Sequence, residues 1–164
     1  MFGIVEGYVE DTFEQLNVVF ETNYKVLRIT NDLQLENLSA SQADINYQLF
    51  ISNVAYEDLE MSGRFNVNVR LEFFFNVVGK DYTAYKSKFD EYVYPFISLL
   101  VNDSRGLNYT IEDDRSVVLN DLSQIQVTNA DRFEEDYYRP SIEFILTGIT
   151  SSNANILSTD NVLA

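Results

Sequence analysis

Between residues 64 and 79 the chain reads RFNVNVRLEFFFNVVG, and Phe65, Val67, Val69, Leu71, Phe73, Phe75 and Val77 fall on every second position. Asn66, Asn68, Arg70, Glu72 and Asn76 fill gaps between them. A strand sends successive side chains to opposite faces, so one face of this segment suits a core and the other suits water or a partner. The alternation runs about twice as far as an ordinary strand. Whatever else the chain does, it must build a sheet around one very long member.

The preceding segment, INYQLFISNVAYEDLEM (45–61), is apolar-rich and β-prone, and it reaches the long strand through Ser62-Gly63. That dipeptide suits a two-residue hairpin turn. Pairing outward from it sets Glu60 opposite Phe65, Tyr56 opposite Val69, Val54 opposite Leu71 and Phe50 opposite Phe75. The apolar pairs begin well back from the turn, which leaves Glu57, Asp58 and Glu60 to face solvent or another molecule. At about 3.3 Å per residue, arms of about 13 residues reach roughly 40 Å. The expectation is a hairpin whose base lies in the sheet and whose tip projects. Asp58, Glu60, Ser62, Gly63 and Arg64 at that tip are the candidate contact residues.

The remaining segments supply the other layer. A helix is predicted through EDTFEQLNVVFETN (10–23), with Val9, Phe13, Leu16 and Phe20 at helical spacing and Thr12 and Gln15 as a capping box. A short strand, YKVLRIT (24–30), and a polar connection (31–44) follow. Asp81 is placed to cap a second helix whose inner stripe is Tyr82, Tyr85, Phe89, Tyr92, Val93, Phe96 and Leu100. Pro95 should kink or restart that helix and Gly106 should end it. Two strands (107–113 and 116–127), a charged loop (129–139) and a last strand (141–150) complete the order. The fold class expected is α+β, a mainly antiparallel sheet with two helices packed on one face and a long projecting β-hairpin. Residues 1–150 form its single domain, and residues 151–164, which lack periodicity, form a mobile C-terminal tail.

Composition narrows the chemistry. The chain contains no Cys and no His, which removes disulfides, thiolate chemistry, most zinc sites and imidazole catalysis. Its formal net charge of −15 opposes sequence-specific contact with a phosphate backbone. Acidic clusters occur at Glu57-Asp58-Glu60, Glu112-Asp113-Asp114 and Glu134-Glu135-Asp136, each beside an expected turn. None has EF-hand spacing, and nothing marks a paired-carboxylate hydrolase. There is no Gly-rich phosphate loop, and the aromatic helix stripe reads as core. The expectation is therefore a protein that is not an enzyme and needs no metal or cofactor. No apolar run approaches a membrane span of about 18 residues, and MFGIVEGYVEDTF has no signal-peptide character, so synthesis in a cytoplasm is expected.

The order of elements ends in DEYVYPFISLL, a polar excursion and DYYRPSIEFILTGIT, and this order resembles the tail terminator (tail completion) proteins of long-tailed bacteriophages. The match rests on residues 45–150, on the Tyr94-Pro95 step at a helix end and on the closing strand 141–150. The resemblance implies a structural virion protein at the head-proximal end of the tail. There it would form a ring, of about six copies, that ends tube polymerisation. Its partners would be itself, the tail tube protein and a neck or head-completion protein, with DNA passing through the lumen unbound. Alternatives are a tail tube subunit, a head–tail connector, or a small ligand-binding α+β domain.

Overall fold

The computed structural model describes residues 2–59, 62–76, 81–111, 114–129 and 137–151. Glu60, Glu112, Asp113, the 134–136 cluster and the tail beyond Ser151 lie outside the described residues. The architecture is α+β, with a mixed sheet of seven strands. In chain order the elements are α1 (Phe2–Val19), β1 (Val26–Arg28), α2 (Asp32–Glu36) with a 3-10 turn (Leu38–Ala40), β2 (Ile45–Leu59) and β3 (Ser62–Asn76). Then come α3 (Tyr82–Lys88), a π-helical turn (Phe89–Val93), α4 (Tyr94–Asp103), β4 (Tyr109–Ile111), β5 (Asp114–Thr128), β6 (Tyr137–Tyr138) and β7 (Ser141–Ser151). No helix among the described residues is long and apolar enough to cross a membrane.

The alternation that opened the sequence is used from Phe65 to Phe75; Val77 lies outside the described residues. Phe65, Val67, Val69, Leu71, Phe73 and Phe75 are all buried and share one cluster with Ile4, Val5, Tyr8, Val9, Phe13 and Leu16 of α1 and with Phe96 and Leu100 of α4. At its centre the Phe13 ring lies 4.7 Å from those of Tyr47 and Phe96, and the Phe73 ring lies 5.9 Å from that of Phe96. Phe74 points the other way. With Ile29 and Leu38 it forms a second, small cluster, packed by Leu35 of α2. Helical segments thus lie against both faces of the sheet, not one. The connection 31–44, expected to be merely polar, carries α2 because Asn31 caps it, its Oδ1 accepting from the Gln34 N–H at 2.9 Å.

Strand order is β1-β2-β3-β7-β5-β4, with β6 pairing β3; β1 and β2 are parallel, the other pairs antiparallel. This places β3 in the interior, where its length is matched on both sides. On one side Leu59 pairs with Ser62 and Asn46 with Phe74; on the other, Ser62 pairs with Ser151 and Glu72 with Ser141. The hairpin end is therefore flanked by β7 and does not project as a free arm. The register expected from a Ser62-Gly63 turn is also replaced, because those residues already belong to β3: Tyr56 faces Phe65, not Val69, and Phe50 faces Arg70, not Phe75. Gly63 is there for a different reason. A Cβ on it would come within 2.0 Å of the Tyr56 hydroxyl and 2.6 Å of Thr150 Oγ1.

Helix boundaries moved for physical reasons as well. α1 begins at Phe2 because Ile4, Val5, Tyr8 and Val9 are buried, and that burial outweighs the low propensity of Gly3 and Gly7. Thr12 is then interior to the helix, and its hydroxyl donates to the Tyr8 carbonyl at 2.7 Å instead of capping. Phe20 lies past the helix end and is exposed, as is Tyr82 at the start of α3. Asp81 does cap α3, its Oδ1 accepting from the Thr83 N–H at 3.0 Å. Pro95 follows a π-helical turn in which the Tyr94 N–H bonds to the Phe89 carbonyl. That wider turn shifts the ladder where the proline cannot donate and where its ring would crowd the preceding turn. Within the stretch expected to be a charged loop, Tyr137 and Tyr138 pair with Asn76 and Phe75.

Candidate functional site

Three places gather polar or uncovered groups. A cleft of about 660 Å³ lies between α1 and the α4–β4 connection and is lined by Tyr8, Asp11, Glu14, Asp103, Leu107 and Tyr109 among others. Two of its carboxylates are engaged by tyrosines: the Tyr8 hydroxyl donates to Asp103 Oδ2 at 2.6 Å, and that of Tyr109 donates to Asp11 Oδ2 at 2.5 Å. Burial first, and then these bonds to carboxylates, raise both phenols well above their ordinary range, so they remain neutral donors. Among the described residues no group of three acidic side chains is arranged to hold a metal ion.

The second place is the Glu72 carboxylate, on the face of β3 opposite the main core and buried. It lies 2.6 Å from Arg70 Nη2 and 2.6 Å from Arg139 Nη2. The two guanidinium groups lie over the rings of Phe50 (5.1 Å) and Phe74 (4.8 Å). A buried charge held this way ties β2, β3 and the entry to β7 together. Its role is structural.

The third place is the pair of sheet edges. β1 covers β2 only from Ile45 to Tyr47, and among the described residues no strand lies outside residues 48–59. On the far side β4 meets β5 at Leu119 and Asp114, and residues 120–128 are uncovered in the same sense. A bare edge presents unpaired N–H and C=O groups, a template for another strand. Residues 52–58 of β2 are all exposed, including Val54 at 40 % and Tyr56 at 55 %; on β5, Val127 is 41 % exposed.

The paired registers define rows that cross four strands, such as Phe50–Arg70–Glu143–Gln126, Ser52–Asn68–Ile145–Ser123 and Ala55–Asn66–Thr147–Asp121. These rows form the face turned away from the main core. It is rich in amides and hydroxyls, and a groove of about 520 Å³ bordered by Asn53, Asn68, Gln124 and Gln126 lies on it.

Of the contact residues picked from sequence, Asp58 and Arg64 are exposed, Ser62 is half-buried and Gly63 is buried; Glu60 lies outside the described residues. Asp58 sits on the uncovered β2 edge, whereas Ser62, Gly63 and Arg64 are enclosed between β2 and β7. Sequence reasoning placed the contact at the tip. The bare flanks of β2 and β5 were not legible to it, because strand order, which no periodicity encodes, decides which strands are left bare. Neither a protein-family model nor a curated protein sequence matches this chain.

Proposed function

We propose that this protein is a structural subunit that joins copies of itself edge to edge into a ring, and that the ring caps the head-proximal end of a phage tail tube as a tail terminator. The observation that carries the reading is the pair of uncovered edges on opposite sides of one sheet. A head-to-tail contact needs two different surfaces on each copy, and it closes when its rotation fits a whole number of copies. Strand addition between such edges fixes orientation through main-chain hydrogen bonds. β2 and β5 run in opposite directions, separated by β3 and β7 in an all-antiparallel run, so β5 of a neighbour related by rotation lies antiparallel to β2.

Charge fits the same use. Each copy carries −15, and α1 bears Glu6, Glu10, Asp11 and Glu14 without a Lys or Arg. Acidic groups lining a passage keep DNA from adhering to it. The tube protein and a neck protein would be the partners above and below the ring.

The test is native mass spectrometry or mass photometry across a salt series, with negative-stain imaging of the protein mixed with purified tail tubes. The expected result is monomer or weak oligomer in dilute low-salt buffer, and a ring of about six copies at high salt or on tube ends. Open-ended fibres of the protein alone would point to a tube subunit. A strict monomer that ignores tubes at every salt would sink the assignment.

A further inference from the structure

Both uncovered edges carry an irregularity. Asn53 on β2 and Gln124 on β5 have φ of 52° and 55°, in the left-handed region that side chains other than glycine's seldom occupy. The β2–β3 ladder shifts register between Ser52 and Ala55, and the β5–β7 ladder shifts between Ser123 and Gln126; a further β5–β7 shift, between Leu119 and Asp121, carries no left-handed residue, so Asn53 and Gln124 mark the two bulges that match in kind. The two bulges flank a single row, Ser52–Asn68–Ile145–Ser123, one on each side of it.

A bulge sets two residues against one, so the outward-pointing groups and the side-chain faces change phase there. A regular strand laid along either edge stays in phase on one side of the bulge only. An edge with a bulge of its own stays in phase on both sides when the two bulges meet. We infer that the Asn53 bulge of one copy seats against the Gln124 bulge of the next and so sets the stagger between copies. This rests on the ring reading above and specifies its contact.

In that register Ser52 meets Gln126 and Ala55 meets Ser123 on the outer face, while Tyr56 meets Leu122 on the core side. All three matches preserve face, since Ser52, Ala55, Ser123 and Gln126 share rows with the outer residues of β3 and β7, and Tyr56 and Leu122 share rows with Phe65 and Leu146. Carrying the rows straight across from copy to copy would instead place Ser52 against Ser123. The bulges would then fall about two residues apart, breaking the ladder twice instead of once. A fixed stagger at each junction is also what closing a sheet on itself requires.

The chain has no cysteine, so disulfide trapping reads the register directly. Two double variants are compared, Ser52→Cys with Gln126→Cys and Ser52→Cys with Ser123→Cys, under conditions where the unmodified protein forms rings. Reduced samples of both should melt with the unmodified protein, which excludes misfolding as a cause. On oxidation the Ser52/Gln126 pair should give a ladder of covalent oligomers, at least about ten-fold more than the Ser52/Ser123 pair, because cross-strand partners bring Cβ atoms within bonding range. Equal or reversed yields would overturn the inferred register. Rings with no cross-link from either pair would overturn it while leaving the ring intact. An unmodified protein that stays monomeric at every salt and on tubes would remove the ring reading, and this inference with it.

Discussion

Replacing Gly148 with alanine tests how tightly the interior of the sheet is closed. Gly148 pairs with Phe65, and a Cβ placed on it would lie 2.3 Å from the ring's Cζ and within 3 Å of both Cε atoms. The Phe65 ring is fully buried and belongs to the main cluster, so it has no solvent to swing into. Inserting a methyl group where no void exists forces a rotamer or backbone shift that costs about 1–3 kcal/mol, and a contact this short argues for the upper half of that range. With a urea m-value of about 2 kcal/mol per molar, the midpoint should fall by about 1 M.

Phe65→Leu supplies the control. Alone it should cost about 1–2 kcal/mol through lost contacts. Combined with Gly148→Ala it should cost less than the two single changes summed, by about 1 kcal/mol or more, because the smaller side chain vacates the space that the methyl needs. Urea unfolding followed by tyrosine fluorescence and far-UV circular dichroism measures all four proteins. If Gly148→Ala falls within about 0.5 kcal/mol of the parent, or if the two changes add, the packing at this row is not as close as argued.

Glu72→Ala should destabilise the protein by about 2–3 kcal/mol, below the range for a fully buried pair because Arg70 and Arg139 are partly exposed; a thermal melt within a degree of the parent would refute it. Alkaline pH should unfold the protein earlier than a surface-tyrosine protein. Burial pushes Tyr47, Tyr92 and Tyr138 up to about 12. Between the unfolded value of about 10 and these folded values the unfolded chain loses protons that the native chain keeps, so stability falls as pH rises, by up to about 1.4 kcal/mol per pH unit for each group. Urea midpoints that stay flat from about pH 9 to 11.5 would contradict this.

Some of this was legible in the sequence because it is local. The period-two run of β3 and the Asp81 cap each depend on a few neighbouring residues, and each is found where it was read. Gly63 shows where such reading fails. A glycine beside a serine between two strands signals a turn, yet its lack of a side chain here accommodates Tyr56 and Thr150, residues distant in sequence or on another strand. Leu59 pairs with Ser62, and that register differs from the expected one at every pair compared in the hairpin. The start of α1 was hidden in the same way, because Gly3, Gly7 and the β-branched residues around them argue locally against a helix that burial against β3 and α4 enforces. The bare edges lay furthest out of reach. Among the described residues, 48–59 and 120–128 have no outer partner because β1 and β4 have three residues each, and sequence patterning cannot say which strands will be neighbours.

The inferred stagger makes the salt dependence of assembly a property of two named residues. In the bulge-to-bulge register Glu57 of one copy lies directly opposite Asp121 of the next, both exposed and both on the outer face. Like charges in directly opposed strand positions are destabilising. At about 5 Å in water their repulsion is about 1 kcal/mol per junction at low ionic strength, and near 0.1 M salt the Debye length of about 10 Å begins to weaken it. Every closed ring repeats the penalty at each of its junctions, so a modest term per contact becomes a large one for the assembly. Glu57→Gln should therefore let rings form at several-fold lower salt than the parent requires, and adding Asp121→Asn should bring little more, since one neutral partner already removes the repulsion. An exposed acid elsewhere, Glu36, gives the comparison: Glu36→Gln lowers net charge by the same amount and should shift the salt threshold far less. Particle-mass measurements over a salt series separate the cases. If Glu36→Gln and Glu57→Gln move the threshold equally, general charge controls assembly and the opposed pair does not exist.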